Sequence, residues 1–205
     1  MTIAEENPKS PHVRAFIAVP VDPLVIGQIT EVQRTLREKT SPDFARWVRP
    51  EQLHLTLRFF GNVPLDQLPA IEAATRMACV SLPEFKLAAQ AVGCFPNFRA
   101  PRVVWVGITG EIGRLDEFRQ AIANHTRSFG EPPDERPFQP HLTIGRIKQQ
   151  NPQGKELLAK RASESVQKNF GEWRVSHVEL MRSVLSPQGS TYSILATIPL
   201  GLESG

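Results

Sequence analysis

Cysteine is scarce in this chain: only Cys79 and Cys94 occur in 205 residues. They have no Cys-x-x-Cys spacing, so neither a disulfide framework nor a structural zinc site is expected, and both read as buried thiols. Long apolar runs are also missing. Nothing approaches the roughly 18 apolar residues that span a bilayer, and the N-terminal MTIAEENPKSPH is polar and acidic with no apolar h-region. A cytoplasmic protein is therefore expected, with residues 1–12 as a flexible arm. Gly-x-Ser-x-Gly does not occur and neither cysteine sits in a motif, so nucleophilic catalysis lacks its signature. The absence of G-x-x-x-x-G-K-[ST] argues against a nucleotide-hydrolysing engine. No linker is long or polar enough to divide the chain, which predicts a single domain over residues 1–205.

What is present is ordinary soluble material. Hydrophobic residues make up 40% of the chain, enough for a sizeable core. The net charge of +3 is unevenly placed: residues 1–140 carry 16 Lys+Arg against 16 Asp+Glu, and residues 141–205 carry 8 against 5. That balance permits an anionic substrate without requiring one. Lys155, Lys160, Arg161 and Lys168 read as the solvated face of a helix.

Periodicity places a strand at about 13–19, where Ala15, Ile17 and Val19 alternate with Arg14, Phe16 and Ala18. Asp22-Pro23 supplies an N-cap and a first-turn proline for a helix through Val25, Ile29, Val32 and Leu36. A second helical pattern starts at Pro64-Leu65-Asp66. FKLAAQAVGCF and RVVWVGIT read as strands, a third helix runs through Leu115, Phe118 and Ile122, and EPPDERPFQP forms a rigid loop. A fourth helix is expected at about 153–169. WRVSHVELMRSVL, the turn SPQGS and TYSILATIPL close the chain as a hairpin. Helices interspersed with directly joined strands favour an α+β fold with antiparallel or mixed sheets.

One pattern stands out: HLTLRFFG from His54 and HLTIGRI from His141, 87 residues apart. Residues i and i+2 share a strand face, so His54, Thr56 and Arg58 are predicted together, opposite Leu53, Leu55, Leu57 and Phe59. In the second copy His141 and Thr143 share a face, and Arg146 joins them only if the strand bends or bulges at Gly145. The duplication suggests two related lobes around a cleft.

Two imidazoles with hydroxyls and guanidiniums, and no carboxylate in either motif, suit general acid-base attack at phosphorus. A metal site is disfavoured, because Thr and Arg replace the usual carboxylates or third histidine. His12, His125 and His177 have no such setting. They read as an arm, a helix-surface and a strand residue.

These residues resemble the two-histidine phosphoesterase superfamily, and within it the LigT-like RNA 2′,3′-cyclic phosphodiesterases, also called bacterial 2′-5′ RNA ligases. RAFIAVP, HLTLRFFGNV, VGCFPNFRAPRVVWVGI, PFQPHLTIGR and VELMRSVLSPQGSTYSIL match the family's segments in order. The resemblance implies a bilobal α+β fold and metal-independent, cofactor-free opening of an RNA 2′,3′-cyclic phosphate to a 2′-phosphate. It implies His54 as proton donor and His141 as acceptor, with Thr56, Thr143, Arg146 and Arg58 binding the phosphate. Phe16 is the residue expected to stack a base, while Phe59 has core parity. The expected partner is an RNA or oligonucleotide with a cyclic end, bound by a monomer. The same site run backwards, as a 2′-5′ ligase, and a non-catalytic RNA-binding module are the alternatives.

Overall fold

The computed structural model describes residues 11–38, 40, 44–134, 136–148, 152–165, 167–186 and 189–201. The elements follow as β1 (His12–Pro20), α1 (Pro23–Glu38), β2 (Ala45–Trp47), β3 (His54–Pro64), α2 (Leu68–Cys79), β4 (Phe85–Phe95), β5 (Val103–Gly110), α3 (Ile112–His125), β6 (His141–Ile147), α4 (Pro152–Ser163), β7 (Asn169–Val175), β8 (His177–Ser186) and β9 (Gly189–Pro199). The strands pair antiparallel in two sheets, ordered β3-β1-β8-β9 and β2-β6-β5-β4-β7. This is the bilobal α+β architecture read from the sequence.

The lobes are locked together by exchanged helices. α1 starts where its chemistry dictates: the Leu24 N–H donates to the Asp22 carboxylate at 2.8 Å, and Pro23 needs no donor there. Its apolar face, Val25, Ile29, Val32 and Leu36, is buried. Although α1 follows β1 of the first sheet, it packs on β6 and β7 of the second, while α3 follows β5 of the second sheet and packs on β3 of the first. Gln33 on α1 is 5% exposed, and its amide donates to the carbonyls of Val48 and Ile144, both at 2.8 Å. Burying an amide with two good acceptors ties the helix to the strand that carries His141.

The 87-residue spacing extends beyond the two motifs. Pro20 stands opposite His54, Ala18 opposite Thr56 and Ile17 opposite Arg58. Gly107 stands opposite His141, Trp105 opposite Thr143 and Val104 opposite Gly145. Every residue of the first set lies 87 positions before its counterpart, so β1 with β3 repeats as β5 with β6.

Several expectations are corrected. WRVSHVELMRSVL is not one strand. It leaves the second sheet at Val175 and enters the first at His177, and the buried positions shift there from Trp173 and Val175 to Val178 and Leu180. Only its second part forms the hairpin with β9. The helix expected at 153–169 ends at Ser163. The one expected from Pro64 begins with a 3₁₀ turn at Leu65–Gln67 and becomes α-helical at Leu68. His12 of the expected arm is strand, paired with Pro64, while residues 1–10 lie outside the described residues, as do 187 and 188 of the SPQGS turn. Both cysteines are buried as expected, and burial pushes each thiol up to about 12. Among the described residues no helix is long and apolar enough to cross a membrane.

Candidate active site

β3 and β6 approach one another, and a cleft of about 1070 Å³ opens over them, lined by Thr56, Phe59, His141, Thr143 and Arg146, with α3 and the proline-rich loop as its far wall. His54 stands beside this cleft, on the face of β3 that carries Thr56.

The two histidines are held in the same way. His54 Nδ1 lies 2.7 Å from the carbonyl of Gln52, and His141 Nδ1 lies 2.7 Å from the carbonyl of Gln139. A carbonyl only accepts, so Nδ1 carries the proton in each ring, and each Nε2 is left to exchange a proton with a ligand. The matched glutamines, Gln52 and Gln139, are the sequence's own signal of this shared hold.

Both rings are also seated among aromatic side chains. Phe16 lies 4.8 Å from His54, tilted by 30°, and Tyr192 on β9 meets it edge-on at 5.0 Å. Phe95 meets His141 edge-on at 4.9 Å, and Trp105 lies 6.5 Å away. Trp105 in turn needs Gly93, where a Cβ would come within 2.1 Å of its ring. Phe16 is only 3% exposed, so the residue expected to stack a base instead supports His54.

Burial lowers the His54 pKa below its ordinary 6.5, against a smaller opposing effect of the Gln52 carbonyl. The unfolded chain then binds this proton at a higher pH than the folded protein does. Stability is full above about 6.5 and falls as the pH drops from there toward the lowered folded value. Wild-type protein is expected to lose more thermal stability between pH 7.5 and pH 5 than His54→Gln, as read from melting temperatures. Equal losses would remove burial of His54 as the cause.

A β-bulge follows the threonine in both copies and decides where the arginines go. Leu57 has no partner between the Thr56–Ala18 and Arg58–Ile17 pairs, and Ile144 has none between Thr143–Trp105 and Gly145–Val104. Each extra residue reverses the parity beyond it. In β6 this turns Arg146 onto the face of His141 and Thr143, as the bend suspected at Gly145 required.

In β3 the same device does the opposite. Arg58, in the register of Gly145, turns away from Thr56 and is 4% exposed. Its guanidinium donates to the carbonyls of Phe59, Phe129 and Glu131 and stacks over Phe60 at 5.0 Å. It thus reaches the cleft wall as the anchor of the loop after α3, its two terminal nitrogens committed to those carbonyls. Phe59, given core parity by simple counting, takes the register of Arg146 and lines the cleft.

No group of three or more His, Cys, Asp or Glu side chains among the described residues is arranged to hold a metal ion. The cleft gathers imidazole, hydroxyl and guanidinium, groups that can hold an anion and exchange protons with it.

Known proteins resemble this chain in sequence and in fold. The sequence matches the 2′-5′ RNA ligase superfamily over residues 20–186. It is 36% identical over 182 residues to the RNA 2′,3′-cyclic phosphodiesterase of Archaeoglobus fulgidus, covering 89% of this chain and 97% of that protein. The corresponding protein of Methanothermobacter thermautotrophicus is 35% identical over 181 residues, covering 88% and 95%. Among solved structures, TT0787 of Thermus thermophilus superposes with a TM-score of 0.76 at 30% identity, over 93% of this chain and 99% of that one. Escherichia coli LigT shares the fold, with a TM-score of 0.68 at 22% identity, over 94% and 99%. Matched over most of its length by sequence and by fold, the chain belongs to the 2′-5′ RNA ligase superfamily.

Proposed function

We propose that this protein hydrolyses the 2′,3′-cyclic phosphate at the end of an RNA to a 2′-phosphomonoester, without a metal ion. The observation that carries this reading is the matched pair of Nδ1 bonds, which frees two Nε2 atoms, one on His141 in the cleft and one on His54 beside it. The names of the relatives at 36% and 35% identity support the substrate. The proposal includes an RNA partner and a cytoplasmic monomer as the working form.

In the reaction, neutral His141 takes a proton from water through Nε2 as the water oxygen bonds to phosphorus. The bond from phosphorus to the 3′ oxygen breaks, and His54, charged, gives that oxygen its Nε2 proton. Thr56, Thr143 and Arg146 hold the non-bridging oxygens as charge builds on them. Burial keeps His54 neutral in the empty cleft, so the arriving phosphate anion must favour its imidazolium form. Arg58 acts by positioning the cleft wall.

A short RNA ending in a 2′,3′-cyclic phosphate, incubated with the protein in EDTA, is expected to end in a 2′-phosphate. A 3′-phosphate would reverse the substrate's orientation, and an untouched end would favour a binding module.

A further inference from the structure

The geometry points to a second anion site on the first sheet, at Arg14, that holds the phosphodiester one nucleotide upstream of the reacting cyclic phosphate. The inference rests on the phosphodiesterase reading and names its substrate class: an oligonucleotide of at least two residues rather than a cyclic mononucleotide.

β1 runs through the cleft-side face of this sheet in regular alternation with β8. Ala18 lies opposite Thr56. Two residues back, Phe16 stands in a row with Phe59 and Met181, and two further back Arg14 stands in a row with Ser183 and Tyr192. Each step of two residues advances the face by roughly 7 Å. The face therefore reads phosphate ligand, apolar strip, then a guanidinium in a row with two hydroxyls.

Arg14 reaches back over the strip, its guanidinium carbon 4.6 Å from the Phe59 ring centroid. That puts its charge about one row, roughly 7 Å, from Thr56, a separation of the size between consecutive phosphates on a single strand.

Arg14 differs from the arginines whose charge is already matched. Arg34, Arg49, Arg76, Arg114, Arg119, Arg136, Arg161 and Arg174 are paired with carboxylates, and Arg58 with carbonyls. Among the described residues Arg14 has no carboxylate or carbonyl partner, and its Nε is buried with no acceptor. The hydroxyls of Ser183 beside it and of Tyr192 one strand further along the row bond no other described residue either. Desolvating a guanidinium donor without an acceptor is costly, and the stacking on Phe59 offsets only part of that cost. A phosphodiester oxygen supplies the missing acceptor, and it meets Arg14 in the geometry a guanidinium fork favours.

The test compares kcat/KM for a diribonucleotide ending in a 2′,3′-cyclic phosphate with that for a 2′,3′-cyclic mononucleotide. In Arg14→Met the ratio of the two constants is expected to fall by about 10-fold or more, the usual effect of losing a charged hydrogen bond. Arg14→Lys, which keeps the charge but not the fork, falls less and serves in place of Arg14→Met if that variant loses its cooperative thermal transition. An unchanged ratio overturns the inference, and so does an equal loss on both substrates, which would place Arg14 at the reacting phosphate. Calorimetric binding of a diribonucleotide bearing a 2′-phosphate, against a nucleoside 2′-phosphate, repeats the comparison without turnover. If wild-type protein cleaves neither cyclic substrate, the phosphodiesterase reading fails while the binding ratio still decides the role of Arg14.

Discussion

His141→Ala is expected to open a terminal 2′,3′-cyclic phosphate about 10²–10⁴-fold more slowly than wild-type protein, and His54→Ala to fall in the same range. Each imidazole serves a proton transfer that water at neutral pH performs poorly. Each factor of ten corresponds to about 1.4 kcal/mol of barrier. The two losses should not multiply in the double variant, because both protons move around one transition state and the threonine and arginine cradle remains. Thermal unfolding separates chemistry from folding. His141 is tied to the Gln139 carbonyl and lies at the open cleft, so its alanine variant should lose about 0.5–1.5 kcal/mol, the usual worth of one hydrogen bond. His54 is packed between Phe16 and Tyr192 and should cost more. Activity within tenfold of wild type in either variant would remove that histidine from the reaction.

Arg58→Met is expected to destabilise the fold by about 2–4 kcal/mol, with only a secondary effect on substrate binding. Methionine keeps much of the stem but leaves the carbonyls of Phe59, Phe129 and Glu131 without their donor. The loop at Gly130 has no room to adjust. Gly130 has φ +61, and a Cβ there would stand 2.2 Å from the Phe60 carbonyl oxygen, while the Glu131 N–H donates to that same oxygen at 2.8 Å. Lysine is no substitute, since a single ammonium cannot reproduce the fork that reaches three carbonyls. Urea unfolding measures the loss. A variant of wild-type stability with a raised KM would return Arg58 to the phosphate.

Much of this fold could be read from alternation alone, because one face of nearly every strand is buried. FKLAAQAVGCF became β4 residue for residue, and His54, Thr56, His141 and Thr143 took the faces that parity assigned. Parity failed where the backbone inserts a residue. In β6 the bulge comes with a glycine, Gly145, which the sequence displays. In β3 the equivalent position is Arg58, so nothing signalled that Arg58 and Phe59 would exchange roles. Topology hid a second group of features. The parity slip at Ser176-His177, from Trp173 and Val175 to Val178 and Leu180, does not say that the chain changes sheets, and α1 packs on the sheet it does not directly follow, because an apolar stripe records what is buried and not against which partner. The aromatic seats of the histidines, Tyr192 and Phe95 among them, depend on strand order and so appear only in three dimensions.

The dependence of kcat/KM and kcat on pH, measured from pH 5 to 9 in EDTA for wild type, His54→Ala and His141→Ala, tests the paired-imidazole mechanism most directly. The expected result is a bell for wild type, with the alkaline limb of kcat lying above that of kcat/KM because bound phosphate offsets the burial that lowers the His54 pKa in the empty cleft. Residual activity should lose its alkaline limb in His54→Ala and its acid limb in His141→Ala. A flat wild-type profile, or a bell that survives in both variants, would contradict the assignment of the two imidazoles as acid and base.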